Sequence, residues 1–569
     1  MNRIVCGVAL AALPCLAIAA RVTILHTNDT HSHIDDGKVP FSAIAAERAR
    51  LQAAGENVIL VDAGDYVQGT ALGGHDSGQS VIDIMNATGY QVATLGNHEF
   101  DYGMPQLLKN AVRARFPTVC CNLIHHAAPG DAGSRVFPSY VVITSGTVRV
   151  AFVGVTTPQT LISSRPTTFL DRTGTWREYD FIAGDGGQAF YRAVQAAVDE
   201  AAAQADYTVV LGHLGLSPDC GQYMSTELIA HTTNFVALID GHSHSEYTGS
   251  RIRNAAGEEV ILAQSGSYLG ILGFLTMEGG RCVSAGTFYP CGGHDEKVAK
   301  LERELAEAVE RKLGVRVAVA PTAICAYSPA TTARMVRSEE CSAGDFAADA
   351  IWWYANEKAG LSCDFALING GNVRDDIPKG TVTLKTMRGV QPFGGDLCVV
   401  EMSARQVLDA LEFGAQAVGD GEFGGFLQVA GLKYTIDTAV KSTLKTDATG
   451  SWAAAPSGER RIKDVMVYDR AKGVFVPMDA NATYRVAGSS FTLIEGGDGF
   501  AMFKGAKAVE KSMVMDYLAL VGYASAFGRG ADGVQSLESG RSPLASLRGY
   551  PLAYERPRGS GRIAILGCD

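Results

Sequence analysis

The stretch Val92-Ala93-Thr94-Leu95-Gly96-Asn97-His98-Glu99-Phe100-Asp101 decides the fold. Its first four residues suit a short buried strand. A glycine then turns the chain, and a run of nitrogen and oxygen donors follows. Polar chemistry directly after a strand marks an α/β layer, where functional loops leave the strand C-termini. The arrangement recurs four times. Strand-like runs at 22–26, 58–62, 207–211 and 236–239 are followed by Asp29-Thr30-His31, Gly64-Asp65, Gly212-His213 and Gly241-His242-Ser243-His244. Another such run lies at 148–155, and helical stretches such as 43–54 and 188–204 lie between them. This alternation predicts an α/β layered domain.

A single Gly-Asp turn or Gly-His dipeptide is ordinarily structural. Five donor clusters in order, each after a strand, point instead to one metal site. The donors are histidine, aspartate and asparagine with no thiolate, which suits zinc, manganese or iron rather than calcium. All 12 histidines fall between His26 and His294, so the first half is the metal-binding half.

At these clusters the chain resembles the metallophosphoesterase superfamily, whose motifs run DxH, GD, GNH(E/D), GH and GHxH. The form Gly-Asn-His-Glu-Phe-Asp is similar to the 5′-nucleotidase branch, which includes bacterial secreted 5′-nucleotidase/UDP-sugar hydrolases and ecto-5′-nucleotidases. The resemblance spans residues 22–525. It implies a layered α/β/β/α domain with two divalent metal ions, zinc or manganese. Asp29, His31 and His244 would hold one ion, Asn97, His213 and His242 the other, and Asp65 would bridge them. Paired ions can clamp a phosphoryl group and activate a water. His98 would face the substrate and stabilise developing charge, with Asp101 holding its ring.

The second half carries the same resemblance. Asn369-Gly370-Gly371-Asn372-Val373-Arg374 follows a strand-like run at 365–368. Arg374 and Arg337 match the family's phosphate arginines, whose planar forks suit phosphate. Asn372 stands where the family has a third glycine, a substitution compatible with a left-handed turn. Phe393 and Phe491 match the pair of aromatics that sandwich the base, and Asp498 matches the ribose ligand. The spacing from Phe491 to Gly496-Gly497-Asp498-Gly499 is one residue longer than the common pattern.

Working outward, residues 1–19 predict an export signal, with Arg3, an apolar run at 4–16 and the small-x-small site Ala17-Ile18-Ala19. Residues 20–294 form the phosphoesterase domain and 295–318 a linker helix with Val298, Leu301, Leu305 and Val309 on one stripe. Residues 319–526 form a mixed α/β nucleotide-binding domain, and 527–569, rich in Gly, Ser and Arg, a loosely structured tail. By analogy with the family, the stretch 295–318 would act as a hinge.

The composition is that of a folded chain: 569 residues, 47% hydrophobic and 19% charged. A net charge of −11 excludes a general binder of nucleic acid polymers. After 1–19 no apolar run is long enough to span a membrane. Ten cysteines remain beyond the signal, an even number that suits disulfides in an exported chain, with Cys282 and Cys291 as a local candidate pair.

The expected activity is an exported dimetal phosphohydrolase that removes the 5′-phosphate from nucleoside monophosphates, with UDP-sugars or nucleoside diphosphates as further substrates. The expected partner is a nucleotide, and no oligomeric state is assigned. One rival is a 2′,3′-cyclic-nucleotide 2′-phosphodiesterase/3′-nucleotidase on the same scaffold. Another is a secreted nucleotide-binding protein that has lost catalysis, against which the intact ligand set, His98 and Asp101 argue.

Overall fold

The computed structural model describes residues 21–567. The export-signal stretch 1–19 lies outside the described residues, as do Cys6, Cys15 and Cys568. Two six-stranded sheets form the centre of the first domain. One runs Arg281–Phe288, Leu272–Glu278, Val22–Thr27, Asn57–Asp62, Val92–Thr94, Thr118–Val119 in spatial order. The other runs Glu246–Arg253, Glu259–Ser265, Ala237–Ile239, Tyr207–His213, Val148–Thr156, Tyr140–Ser145.

Strand side chains alternate between faces, so each sheet buries both. Ile59 and Val61 face the second sheet, packing with Phe152, Val209 and Leu211. Val58 and Leu60 face outward onto Phe41, Ile44, Val81 and Met85 of the helices Phe41–Ala53 and Gln79–Thr88. The far face of the second sheet is covered by Gln188–Ala202 through Phe190, Val194 and Val198. The layers are therefore helix, sheet, sheet, helix. The strands that precede the donor clusters run parallel within each sheet, so their C-terminal ends collect at one edge.

The helix Glu296–Leu313 starts at Asp295, whose side chain accepts from the Lys297 and Val298 N–H groups. Its apolar stripe packs on the first domain. It is shorter than the expected 295–318: Gly314 follows, and Arg316–Ala320 is already a strand paired with Gly380–Thr383.

The second domain is built on a five-stranded sheet in the order Leu427–Ala430, Phe365–Asn369, Thr483–Ser489, Asp396–Ser403, Lys507–Met515. Helices Ser342–Trp353 and Asp516–Ser525 cover one face and Ala404–Gly414 the other.

Two expectations are corrected. Residues 527–566 are not loosely structured. Ile563–Leu566 adds a parallel strand beside Leu432–Asp437, and Arg562, 1% exposed, forks onto both oxygens of Asp349 at 2.8 Å. Tyr550 and Tyr554 donate to the same carboxylate at 2.6 Å. The composition reads as a loop, but this paired charge anchors it. Cys282 and Cys291 do not pair either. The Cys282 thiol donates to the Ser284 carbonyl, whereas Cys291 faces Glu47. The nine described cysteines are free thiols, eight of them buried as small apolar residues. No helix among the described residues is long and apolar enough to cross a membrane.

Candidate active site

The five loops converge because they are bonded to one another. Asp29 N donates to Gly64 O and His31 N to Asp65 O, both at 2.9 Å, zipping the first loop to the second. His242 N donates to the Asp29 carboxylate at 3.0 Å and Asn28 Nδ2 at 2.7 Å. Asp29, His31, Asp65, His242 and His244 all have left-handed φ values, between 47° and 79°. Non-glycine residues rarely adopt this region, and strain of this kind gathers at functional sites. Glycine is required beside them: a Cβ on Gly96 would lie 2.1 Å from Asp65 Oδ1, and one on Gly241 2.7 Å from His213 Nδ1.

His31 Nδ1 lies 2.7 Å from the Gln68 carbonyl and His213 Nδ1 2.8 Å from the Ala63 carbonyl. A carbonyl only accepts, so each Nδ1 carries the proton and each Nε2 turns a lone pair into the cluster. There, acceptors face acceptors. His31 Nε2 is 3.0 Å from His244 Nε2, which is 3.5 Å from Asp29 Oδ1. His213 Nε2 is 3.0 Å from Asp65 Oδ2.

The donors form the groups Asp29, His31, His244 and Asp65, His213, His242, each with its ligand atoms within 4.8 Å of one another. Burial holds the His31 and His244 imidazoles well below their ordinary range, which keeps them neutral, and pushes Asp29 up to about 7. Asn97 Oδ1 and His213 Nε2 are buried without a hydrogen-bond partner. Converging lone pairs and orphaned acceptors fit two divalent cations bound through nitrogen and oxygen.

Glu99 organises this centre and has no role in the sequence-based expectation. Its Oε2 accepts from Asp65 N at 2.8 Å and Gly96 N at 2.6 Å, and its Oε1 from Tyr66 N at 2.8 Å and Val67 N at 3.2 Å. Burial, with the nearby Asp65 charge, pushes its carboxyl up to about 7. Asp240 serves the other side, accepting from Leu214 N at 2.8 Å, Gly215 N at 3.1 Å and Gln264 Nε2 at 2.9 Å. Tyr268, with a φ of 57°, sets its ring 5.5 Å from that of His31 and 5.1 Å from that of His244. Only Glu99 carries a signal in the sequence, by standing inside the Gly96–Asp101 run.

His98 N donates to Asp65 Oδ1 at 2.8 Å, and His98 Nδ1 lies 2.6 Å from Asp101 Oδ2. Burial opposes its protonation, but the Asp101 and Asp65 carboxylates outweigh burial and raise its pKa. His98 also groups with His31 and Asp65 as donors, but its Nδ1 is committed to Asp101.

A cleft of about 860 Å³ runs between the two domains. The first domain lines it with Asp65, Asn97, His98, Asp101, His242 and His244, and the second with Arg337, Asn369, Arg374, Phe393, Phe491 and Asp498. Asp29, His31 and His213 are fully buried in the ligand cluster. Asn369 Nδ2 donates to Asp498 Oδ2 at 2.7 Å, and burial pushes Asp498 up to about 6. Burial, then the crowding of Arg334 and Arg374, lowers Arg337 to about 9. Arg334, unnoticed in the sequence, is held by Glu422 at 2.6 Å. The Phe393 ring stands 5.7 Å from the His98 ring and 5.8 Å from the Arg374 guanidinium.

Asn372 is not in a left-handed turn: it ends the tight helical turn Gly370–Asn372. The glycine that matters is Gly370, whose Cβ would lie 2.1 Å from the Val336 carbonyl, so asparagine is admitted two residues on.

Residues 22–246 match the family model for calcineurin-like phosphoesterases, and residues 317–505 that for the 5′-nucleotidase C-terminal domain. The chain is similar to the snake venom 5′-nucleotidase of Crotalus adamanteus, at 26% identity over 90% of this chain and 88% of that one. It is similar to human 5′-nucleotidase at 26% identity over 85% of each chain. The crystal structure of a 5′-nucleotidase precursor from Thermus thermophilus superposes with a TM-score of 0.75 at 26% identity, covering 96% of this chain and 100% of that one.

Proposed function

Because the chain belongs to the 5′-nucleotidase family of metallophosphoesterases, and so is a metal-dependent phosphoric monoester hydrolase acting on nucleotides, we propose that its reaction is removal of the 5′-phosphate from nucleoside monophosphates. One observation carries this reading. A single cleft joins the metal-ligand cluster and His98 to Arg337 and Arg374, and those to the Asn369–Asp498 pair. That order of groups suits phosphate, then ribose.

Asp29, His31, His244, Asp65, Asn97, His213 and His242 are the residues that would hold the two divalent ions. When bound, such ions would supply Lewis acidity for attack by water and neutralise phosphoryl charge. Arg337 and Arg374 bind the phosphate oxygens as planar forks. His98, oriented by Asp101, turns its Nε2 toward the cleft and stabilises charge on the phosphoryl and leaving oxygens. Asp498 accepts from the ribose hydroxyls, and Phe393 and Phe491 stack on the base.

The cleft is near the upper end for small-molecule sites, so nucleoside diphosphates and UDP-sugars are included as further substrates. Export is part of the proposal. It is supported by the pattern of residues 1–19 and by similarity to a venom protein.

The test is phosphate release from 5′-AMP and 3′-AMP in parallel, with protein stripped by chelator and reloaded with Mn²⁺ or Zn²⁺. Metal-dependent release from 5′-AMP is expected. Release mainly from 3′-AMP would replace this reading with the cyclic-phosphodiesterase one.

A further inference from the structure

We propose that Glu495 is a positioning residue: from the second domain it fixes the first-domain segment that holds Asp101, and through Asp101 the His98 ring. The inference rests on the hydrolase reading above. It adds a residue that lies outside both the ligand cluster and the cleft lining.

Glu495 stands between the short helix Ser490–Leu493 and Asp498, with its N–H on the Ser490 carbonyl at 3.0 Å. Its carboxylate reaches across to the other domain. Oε1 accepts from Arg165 Nη2 at 3.1 Å and Oε2 from Thr167 Oγ1 at 2.7 Å. The Glu495 side chain is 6% exposed and that of Arg165 47%. Two exposed partners would contribute little to each other. Here the carboxylate is sequestered, and a sequestered charge is costly without donors. Both of its oxygens find them at residues 165 and 167, so Glu495 fixes where those residues stand.

The segment it holds backs the turn that carries His98. Ser164 precedes Arg165, and its Oγ donates to Asp101 Oδ1 at 2.8 Å. Thr168 Oγ1 donates to the Phe100 carbonyl at 3.4 Å, and the Phe169 ring stands 5.3 Å from the Phe100 ring. The linkage is short and stiff. Pro166 has a fixed φ, and Thr168 N donates to the Arg165 carbonyl at 2.9 Å. A shift of Arg165 and Thr167 is therefore passed to Ser164, and from there to the Asp101 carboxylate on His98 Nδ1.

The other end of this path is the loop that carries Asp498. Gly496, with a φ of 73°, turns the chain directly after Glu495, and Asp498 follows, bonded to Asn369 at 2.7 Å. One loop thus carries the proposed ribose ligand and the carboxylate that steadies the support of His98. Orientation of the ring then depends on the second domain being seated against the first.

The experiment measures kcat and KM for 5′-AMP in metal-loaded E495A, E495Q and S164A, each made in wild type and in H98A. In the wild-type background E495A should lower kcat about 10–100-fold, the effect of a catalytic group set slightly out of place. S164A removes the next bond in the path and should give a similar loss. E495Q keeps the shape and an acceptor for Thr167, and should fall between E495A and wild type. In H98A there is no ring to orient, so the same substitutions should change kcat by no more than about twofold, the scatter of such cycles. A loss of equal size in both backgrounds would overturn the proposal, making the ion pair an interdomain prop with no path to His98. An unchanged kcat in E495A would overturn it too, and with a raised KM would assign Glu495 to the ribose loop alone. Were wild type to act on 3′-AMP instead, the nucleotide reading would change as above, and the same cycle on 3′-AMP would still decide Glu495. A wild type inert on both would sink the two together.

Discussion

Asp101 is bonded through both of its oxygens: Oδ2 lies 2.6 Å from His98 Nδ1, and Oδ1 accepts from Ser164 Oγ at 2.8 Å. Ser164 follows the short helix Thr160–Ser163, far from His98 in sequence, so the ring is oriented by a carboxylate that is itself held. His98 sits one residue after Asn97 and its backbone N–H holds Asp65, but its ring is bonded to Asp101 rather than to any of the proposed ligands, which separates the ring's role from theirs.

That separation predicts how variants divide. His98→Ala should lower kcat by about 10²–10⁴ and leave two ions per chain, because no metal contact is removed. Asp101→Asn, which keeps the shape but loses the charge, should fall between it and wild type. Metal analysis of both proteins checks this, and loss of an ion in His98→Ala would make His98 a ligand.

Glu99 predicts the opposite pattern. Its carboxylate gathers four backbone N–H groups from the loops that carry Asp65 and Asn97. Glutamine has one oxygen and a donor in place of the second, so Glu99→Gln should misplace both loops. Metal affinity should drop about 10–100-fold, and excess Mn²⁺ should restore much of the activity. Rescue by metal distinguishes this positioning role from a catalytic one.

These two residues show what was legible. The donor clusters could be read because each follows its strand directly, and parallel strands bring those ends to one edge. The contacts of Glu99 reach residues 65–67, a pairing that no local pattern encodes. Arg562 was hidden differently: Gly, Ser and Arg composition reads as solvated loop, and only the fold brings Asp349 to its fork. The even cysteine count misled because burial, not bonding, explains those thiols.

Arg562 carries a stability prediction. It is fully buried against Asp349, with Asp345 at 3.7 Å. Arg562→Ala would strand those carboxylates without a cation, which costs about 3–5 kcal/mol. The expected result is a clearly lower Tm. Arg562→Lys should recover only part of it, since an ammonium cannot fork onto both Asp349 oxygens.

His26 sets an acid limit. It is 1% exposed, its two ring nitrogens have no partner, and burial lowers its pKa from 6.5 to about 3. Its neutral form is the folded form. The stability it contributes is therefore complete above pH 6.5 and is lost as pH falls from there toward 3, at about 1.4 kcal/mol per pH unit. His26→Leu should flatten the decline of Tm between pH 6.5 and 4, whatever it does to Tm at neutral pH. An unchanged slope would place the acid sensitivity elsewhere.

If Asp498 binds the ribose as proposed, it links substrate binding to pH in a way that substrate choice can isolate. Its carboxylate is fixed by Asn369 and raised to about 6 by burial, so it is charged at pH 7.5 and largely neutral at pH 5. A neutral carboxyl is a weaker acceptor, and hydrogen bonds to a charged group contribute about 1.5–3 kcal/mol. The KM for 5′-AMP should therefore rise as pH falls through 6. The KM for p-nitrophenyl phosphate, which has no ribose, should show no such step. Asp498→Ala should raise the KM for 5′-AMP about tenfold or more at pH 7.5 and abolish the step. On the 2′,3′-dideoxy nucleotide, where the hydroxyls are missing, the substitution should cost little. A full penalty on the dideoxy substrate would mean that Asp498 shapes the loop rather than binding the sugar.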